Sequence, residues 1–521
     1  MDDAPPASST SQPGQPAKPA QPPSLGVSSS ASPAPLALSS AGGRWLVVAA
    51  ALGSGVAFLD GSVVNVALPA IGREVGGGFS VLQWVLDGYL LSLSALLLLG
   101  GALGDRYGRR LVFQVGLVMF TVASLGCGLA PTGGVLILAR LVQGVGGALL
   151  IPGSLALIDA SIRRQDRGRA IGAWAGLSGV ASALGPFLGG WLVDSASWRW
   201  VFFINVPLAA AALVVTVRHV PESRDTTATG RVDIAGAGSV TLGLGGIIFA
   251  LIEMPVRGWT PLTVTALVVG ALALAAFPLI EHRQRAPLIP LSLFRSAQFT
   301  GANLVTLVVY TALGGALFLV ALQLQQSMGY TALAAGLAFL PFTVIMLLLS
   351  SRIGALAQRV GPRWPMTIGP LVAGAGLALL VRAVPGASYL SGVLPGIAVF
   401  GLGMAITVAP LTSAVLASVE EDHVGAASGA NNAISRIASL LAVAVLPLAV
   451  GLGNSGTGPL GPGFAHAMLI SAALCGLGGI TALLTIKRQT PVQLHTLPGL
   501  TQPCQQPSTR IPQSVGAQPA S

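Results

Sequence analysis

From Trp45 to Ile486 the chain is a succession of apolar runs, each roughly 18–25 residues long, separated by short loops. Wound as a helix at about 1.5 Å per residue, a run of that length crosses the hydrocarbon core of a bilayer. That core holds no water to satisfy backbone N–H and C=O groups, so a continuous apolar segment there must be helical. About fourteen runs are predicted, over residues 45–69, 81–103, 111–130, 134–158, 170–193, 200–217, 232–254, 262–280, 299–322, 332–351, 366–384, 389–409, 430–452 and 464–486. Charge agrees with this reading. Charged residues make up 8% of the chain and hydrophobic residues 53%, whereas water-soluble domains carry about 25% charged residues. The expected fold class is all-α, a polytopic membrane protein embedded in a lipid bilayer.

The flanking segments differ sharply in composition. Residues 1–43 and 487–521 are rich in Pro, Ser, Ala and Gln and are expected to be disordered tails. The formal charge of +10 is spread over many short loops and gathers in no patch, which argues against a nucleic-acid partner. Its distribution predicts orientation. Arg106, Arg109, Arg110, Arg163, Arg167, Arg231, Arg285, Arg363 and Arg488 fall on one side of the predicted map, and the opposite side holds Arg73, Arg199, Arg257 and Arg382. The basic side is expected to be cytoplasmic, with both tails there and the protein in the plasma membrane. Cys127, Cys475 and Cys504 have no metal-ligand spacing, and no disulfide follows from them.

An internal repeat organises the map. Gly101-Ala-Leu-Gly-Asp-Arg-Tyr-Gly-Arg-Arg110 follows span 2, and Gly354-Ala-Leu-Ala-Gln-Arg-Val-Gly-Pro-Arg363 follows span 10, with six of ten positions identical. A weaker echo pairs Asp166-Arg-Gly-Arg-Ala before span 5 with Asp422-His-Val-Gly-Ala before span 13. The offset is eight spans. The expected plan is therefore a six-helix bundle over 44–219, a two-helix insertion over 220–286 and a second six-helix bundle over 287–486, with a site between the bundles near the midplane.

Three ionisable side chains are predicted well inside the hydrocarbon: Asp60, Asp87 and Arg140. Asp60 lies roughly 22 Å along its span, and Asp87 and Arg140 sit at similar depth in spans running the opposite way. A carboxylate in that setting faces protein or a wet cavity and needs a proton or a cation. Two acids beside one arginine leave one negative charge over, for which a proton and a cationic cargo would compete. Asn65, Trp84, Gln143, Tyr310 and Gln323 are further candidates for lining such a cavity.

Several motifs resemble one family. Gly101-x-Leu-x-Asp105-Arg106-x-Gly108-Arg-Arg is similar to the signature between spans 2 and 3 of the major facilitator superfamily. Leu59-Asp60-x-x-Val63-Val64-Asn65-Val66-Ala67-Leu68-Pro69 resembles the span-1 signature of its fourteen-span drug:proton antiporters. Arg140-x-x-Gln143-Gly144-x-Gly146-Gly147-Ala148 resembles the superfamily's span-4 arginine motif, and Gly185-Pro186-x-x-Gly189-Gly190 the motif that marks antiporters. Trp198-Arg199-x-x-Phe202-Phe203-x-Asn205-x-Pro207 also fits. Two departures stand out: Ala181 replaces a preferred Gly, and Ile437-Ala438-Ser439 follows Arg436 where many relatives carry Gln-x-Gly. The resemblance implies gating roles for Gly101, Asp105, Arg106, Gly108, Gly185, Pro186, Gly189 and Gly190, and proton coupling or substrate binding at Asp60, Asp87 and Arg140.

The expected function is proton-coupled export of amphipathic, cationic small molecules by alternating access. Export of an endogenous metabolite or lipid fits the same residues, as does a membrane sensor that kept the fold without flux. No Gly-x4-Gly-Lys-Ser/Thr loop is present for ATP. Neither a nucleophile–base pair nor a metal cluster is legible, so no enzyme activity, metal or cofactor is expected. The sequence leaves the oligomeric state open.

Overall fold

A computed structural model describes residues 35–224, 232–284, 287–420, 423–452 and 459–487. The tails up to residue 34 and beyond residue 487 lie outside the described residues, as do Arg231, Arg285, Asp422, Arg488 and Cys504. Fourteen helices are long and apolar enough to cross a membrane. In chain order they are α1 (Ala41–Val75), α2 (Gly78–Tyr107), α3 (Arg109–Gly128), α4 (Gly133–Ser161), α5 (Arg164–Ser195), α6 (Trp200–His219), α7 (Ile234–Arg257) and α8 (Pro261–Arg283). The remainder are α9 (Ala297–Ser327), α10 (Ala332–Val360), α11 (Arg363–Arg382), α12 (Tyr389–Leu416), α13 (Val424–Ala449) and α14 (Gly461–Thr485).

Several helices overrun the apolar run that predicts them. The α1 helix continues through Pro69 to Val75, and α5 begins at Arg164, six residues before its predicted start. Helical hydrogen bonding continues past the point where hydropathy stops, because the ends are polar enough for the headgroup region. Residues 35–43, expected within the N-terminal tail, are held in place. Leu36 forms an isolated bridge with Ile162, Leu38 N–H donates to Asp166 Oδ2 at 3.2 Å, and Ser40 caps α1.

The helix neighbours repeat with a period of eight. The α1 helix packs on α5 and α6, and α9 packs on α13 and α14; α4 packs on α2 and α3, and α12 on α10 and α11; α3 meets α6, and α11 meets α14. Adding eight to each number in the first set gives the second. The pairs that join the two sets obey the same rule, since α2 packs on α13 and α10 packs on α5. The α7 and α8 helices pair with each other, and α7 rests on α2 and α13.

The duplicated loops share a backbone feature. Gly108, which breaks α2 from α3, has φ +119°, and Gly361, at the matching position between α10 and α11, has φ +82°. Side chains with a Cβ rarely adopt such angles, so both turns call for glycine. The end of the bundle carrying the start of α1 and the end of α14 is called the terminal end below, and the α1–α2 turn lies at the distal end.

Candidate functional site

Three polar residues from two helices converge on Asp60. Asp60 lies in α1, the most buried of the helices. Arg140 and Gln143 stand three residues apart on α4, one turn of helix, and so share a face. Asn205 opens the second stretch of α6, after a short break at Ile204. All four side chains are fully buried.

The network is dense. Arg140 Nη1 donates to Asp60 Oδ2 as an ion pair and also to Gln143 Oε1 at 2.7 Å. Asp60 Oδ1 accepts from Gln143 Nε2 at 2.9 Å and from Asn205 Nδ2 at 2.8 Å. Ser124 of α3 accepts from Gln143 at 2.8 Å. Arg140 Nε donates to Val85 O of α2 at 2.9 Å. The guanidinium also lies 4.4 Å from the centre of the Tyr89 ring. Arg140 Nη2 has no hydrogen-bond partner, and the electron-rich ring face is its compensation. A buried charge pair is tolerable when its remaining lone pairs and protons are occupied, as nearly all of these are.

Asp87 has a different setting. It is fully buried in α2, and neither carboxyl oxygen has a hydrogen-bond partner. One turn earlier Gln83 donates to Val443 O of α13 at 2.6 Å, and one turn later Leu91 clusters with Leu440 and Ala444 of α13. By helical register Asp87 lies on the α2 face toward α13, between these two contacts. The expected triad is thus split: Asp60 and Arg140 meet, and Asp87 stands apart from the pair.

The expected cavity-lining residues fall into two groups. Asn65 and Tyr310 are partly exposed, with Asn65 Nδ2 donating to Gly61 O of its own helix at 3.1 Å. The other three are committed elsewhere. Gln143 belongs to the Asp60 network. Trp84 donates to Glu253 Oε1 of α7 at 2.8 Å and tilts against Phe249, so it fixes the insertion to α2. Gln323 donates to Ala383 O at 2.7 Å, at the connection after α11. Hydropathy reports depth and gives no direction around the helix, so these partners are not legible in it.

The distal end is where the two sets of six helices are tied together. Gly185 faces Ser62 of α1 and Gly189 faces Val63, where a Cβ on Gly189 would sit 2.6 Å from Val63 Cγ2. Gly190 faces α10, where a Cβ would sit 2.6 Å from Leu333 Cα, and Gly336 of α10 packs on the Pro186 backbone. Asp194 accepts from the N–H groups of Ala332 at 3.2 Å and Leu333 at 2.8 Å, occupying free donors in the first turn of α10. Gln325 donates to Val66 O at 3.0 Å.

At the terminal end Asp105 pairs with Arg109 at 2.8 Å, Gly101 abuts Pro152 of α4, and Arg106 lies over the Tyr107 ring. Glu222, just past α6, accepts from the N–H groups of Arg110 at 3.1 Å and Leu111 at 3.2 Å. It thus occupies the free donors and the positive dipole end of α3. Sequence reading missed Glu222 because the signature loop carries no sign of its partner. It also missed Arg436, midway along α13, as an interior charge. The depth arithmetic applied to Asp60 would have found it.

Comparison with known proteins places this arrangement. The family profile described as Major Facilitator Superfamily matches residues 50–443. The chain is 36% identical over 402 residues to the multidrug resistance protein Stp of Mycobacterium tuberculosis, covering 77% of this chain and 74% of that one. It is 37% identical over 443 residues to the puromycin resistance protein pur8 of Streptomyces alboniger, covering 82% and 87%. It is 36% identical over 431 residues to the methylenomycin A resistance protein of Bacillus subtilis, covering 82% and 91%. A D-xylose–proton symporter shares the fold with a TM-score of 0.60 at 16% identity, over 85% of this chain and 98% of that one. The chain belongs to the major facilitator superfamily, a family of membrane transporters.

Proposed function

We propose that the protein is a proton-coupled antiporter that exports amphipathic small molecules across the plasma membrane by alternating access. The observation that carries this reading is Asp87, a fully buried carboxyl with no hydrogen-bond partner at a contact between the two sets of helices. An ionised group there costs several kcal/mol, on the order of the desolvation of a lone charge, so Asp87 holds a proton in this state. Loss of that proton destabilises the α2–α13 contact and favours parting of the distal end. Relatives described as multidrug, puromycin and methylenomycin A resistance proteins support the export of drug-like compounds.

The chemistry then runs in one direction. With the distal end closed, cargo enters from the cytoplasm as Asp87 gives its proton up to that side. The ionised carboxylate favours the state open to the outside, where cargo leaves and external water returns a proton. Asp60 and Arg140 position α1 against α4 and stay paired with each other, so Asp60 is not a free anion for a cationic cargo in this state. The Gly185–Gly190 ridge is the distal gate, and the loop from Gly101 to Arg110 is the cytoplasmic latch. Both termini are on the cytoplasmic side. The bundles span 44–219 and 287–486, with the insertion at 220–286.

Everted vesicles test this. Addition of an exported dye should release protons from wild-type vesicles, and Asp87→Asn should abolish that release. Gradient-driven export by Asp87→Asn equal to wild type would refute the assignment of the proton to Asp87. Vesicles that move no dye at all would leave a fold without flux.

A further inference from the structure

Arg436 is a cation in mid-membrane without an anion. It lies midway along α13 and is partly exposed. Its Nε is buried with no hydrogen-bond partner, and among the described residues it has no ion-pair partner. Its contacts are aromatic. The guanidinium lies 5.1 Å from the centre of the Phe58 ring, at the middle of α1, two residues before Asp60. Tyr89 of α2 and Tyr310 of α9 are close enough to interact with its charge. The guanidinium therefore sits where α13 of one set of six meets α1 of the other. Its ring partner Phe58 belongs to α1, the most buried helix, which puts the guanidinium on the side of α13 toward the bundle interior.

We propose that Arg436 is the subsite for an anionic group on the cargo, and that the preferred cargo is a flat aromatic compound bearing a carboxylate, phenolate or enolate. This rests on the export reading above and narrows its substrate class. The charge count supports it. Arg140 is neutralised by Asp60, and Asp87 is neutral while it holds its proton, which leaves Arg436 as an uncompensated positive charge. Cation–π contact with Phe58 offsets part of the desolvation of a guanidinium and leaves its hydrogen-bond donors unused. A planar anion supplies the missing acceptors through charge-assisted bonds, and its ring can stack beside Phe58 and Tyr310. The same ledger sets this subsite against a cationic cargo, which would be placed beside a like charge.

The test uses two flat dyes of opposite charge, fluorescein and ethidium, in everted vesicles carrying the full-length chain. The readout is the ratio of proton-driven fluorescein export to ethidium export. Loss of a charge-assisted bond should lower that ratio about tenfold in Arg436→Gln. Arg436→Lys, which keeps the charge, should recover most of it, and Arg436→Glu should fall below Arg436→Gln. A structural role for Arg436 lowers both dyes together and leaves the ratio unchanged, which overturns the proposal, as does a wild type that exports ethidium and no fluorescein. The latter result leaves the export reading intact, and a wild type that moves neither dye counts against both.

Discussion

The polar interiors of the two repeats solve one packing problem in different ways. In the first, Asp60, Arg140, Gln143, Asn205 and Ser124 bind α1, α3, α4 and α6 together through a buried ion pair. In the second, Asn431 of α13 donates to Asn303 at 3.0 Å and to Thr306 at 2.7 Å on α9, with no charge involved. The α9–α13 pair is the counterpart of α1–α5, which is likewise joined by neutral groups, Ser54 Oγ and Ser178 Oγ at 3.1 Å, so neighbouring helices here pack with or without ions. Holding helices together in lipid does not require a carboxylate, since small residues and neutral hydrogen bonds suffice. The ion pair of the first repeat fixes α1 against α4, and the proton of the proposed cycle is assigned to Asp87 and not to that pair.

The comparison breaks most readily at Asp60. Asp60→Asn leaves Arg140 buried and uncompensated, and breaking such a pair costs about 3–5 kcal/mol. The expected outcome is a marked fall in the Tm of the purified protein together with loss of dye export. Asp60→Asn combined with Arg140→Gln should recover much of the Tm and none of the export. If the double variant transports as well as wild type, the pair only locks helices, and the two repeats are equivalent.

A smaller effect is expected at the distal gate. Gly190→Leu forces a side chain into the backbone of α10 near Leu333, at a cost of roughly 1–3 kcal/mol for overpacking. Export should fall, and cysteines placed in the interior should become more accessible to an external thiol reagent. Unchanged accessibility would show that α5 and α10 do not gate that end.

Asp87→Asn sharpens the contrast between the two acids. An amide is nearly isosteric with a protonated carboxyl, so Tm should change by less than in Asp60→Asn while proton release disappears. A Tm loss as large as that of Asp60→Asn would mean that Asp87 is ionised and structurally paired. The smallest effect is expected in the uncharged Asn431 network of the second repeat. Asn431→Ala removes two hydrogen bonds worth about 0.6 kcal/mol each on the membrane scale, and a small drop in Tm with export retained is expected.

Fourteen helices, the all-α class and the depth of each interior charge are legible in the sequence, because run length and rise per residue are local properties. The repeat at Gly101 and Gly354 is equally legible, and the positive φ of Gly108 and Gly361 gives it a backbone cause. Which side chains meet is another matter. Asp60, Asp87 and Arg140 lie at one predicted level, yet Arg140 pairs with Asp60 alone. The same gap hid Asn205 and Glu222, and with them the partners taken up by Gln143, Trp84 and Gln323.

Hydropathy fixed the number of crossings and the height at which each charge sits. Tertiary packing decided which acid is neutralised, which stands bare against α13, and that Arg436 lies over the Phe58 ring with no ion-pair partner among the described residues. The reason is geometric: depth accumulates along one helix, whereas the choice of partner depends on the rotation of several helices about their axes, which only their mutual packing sets.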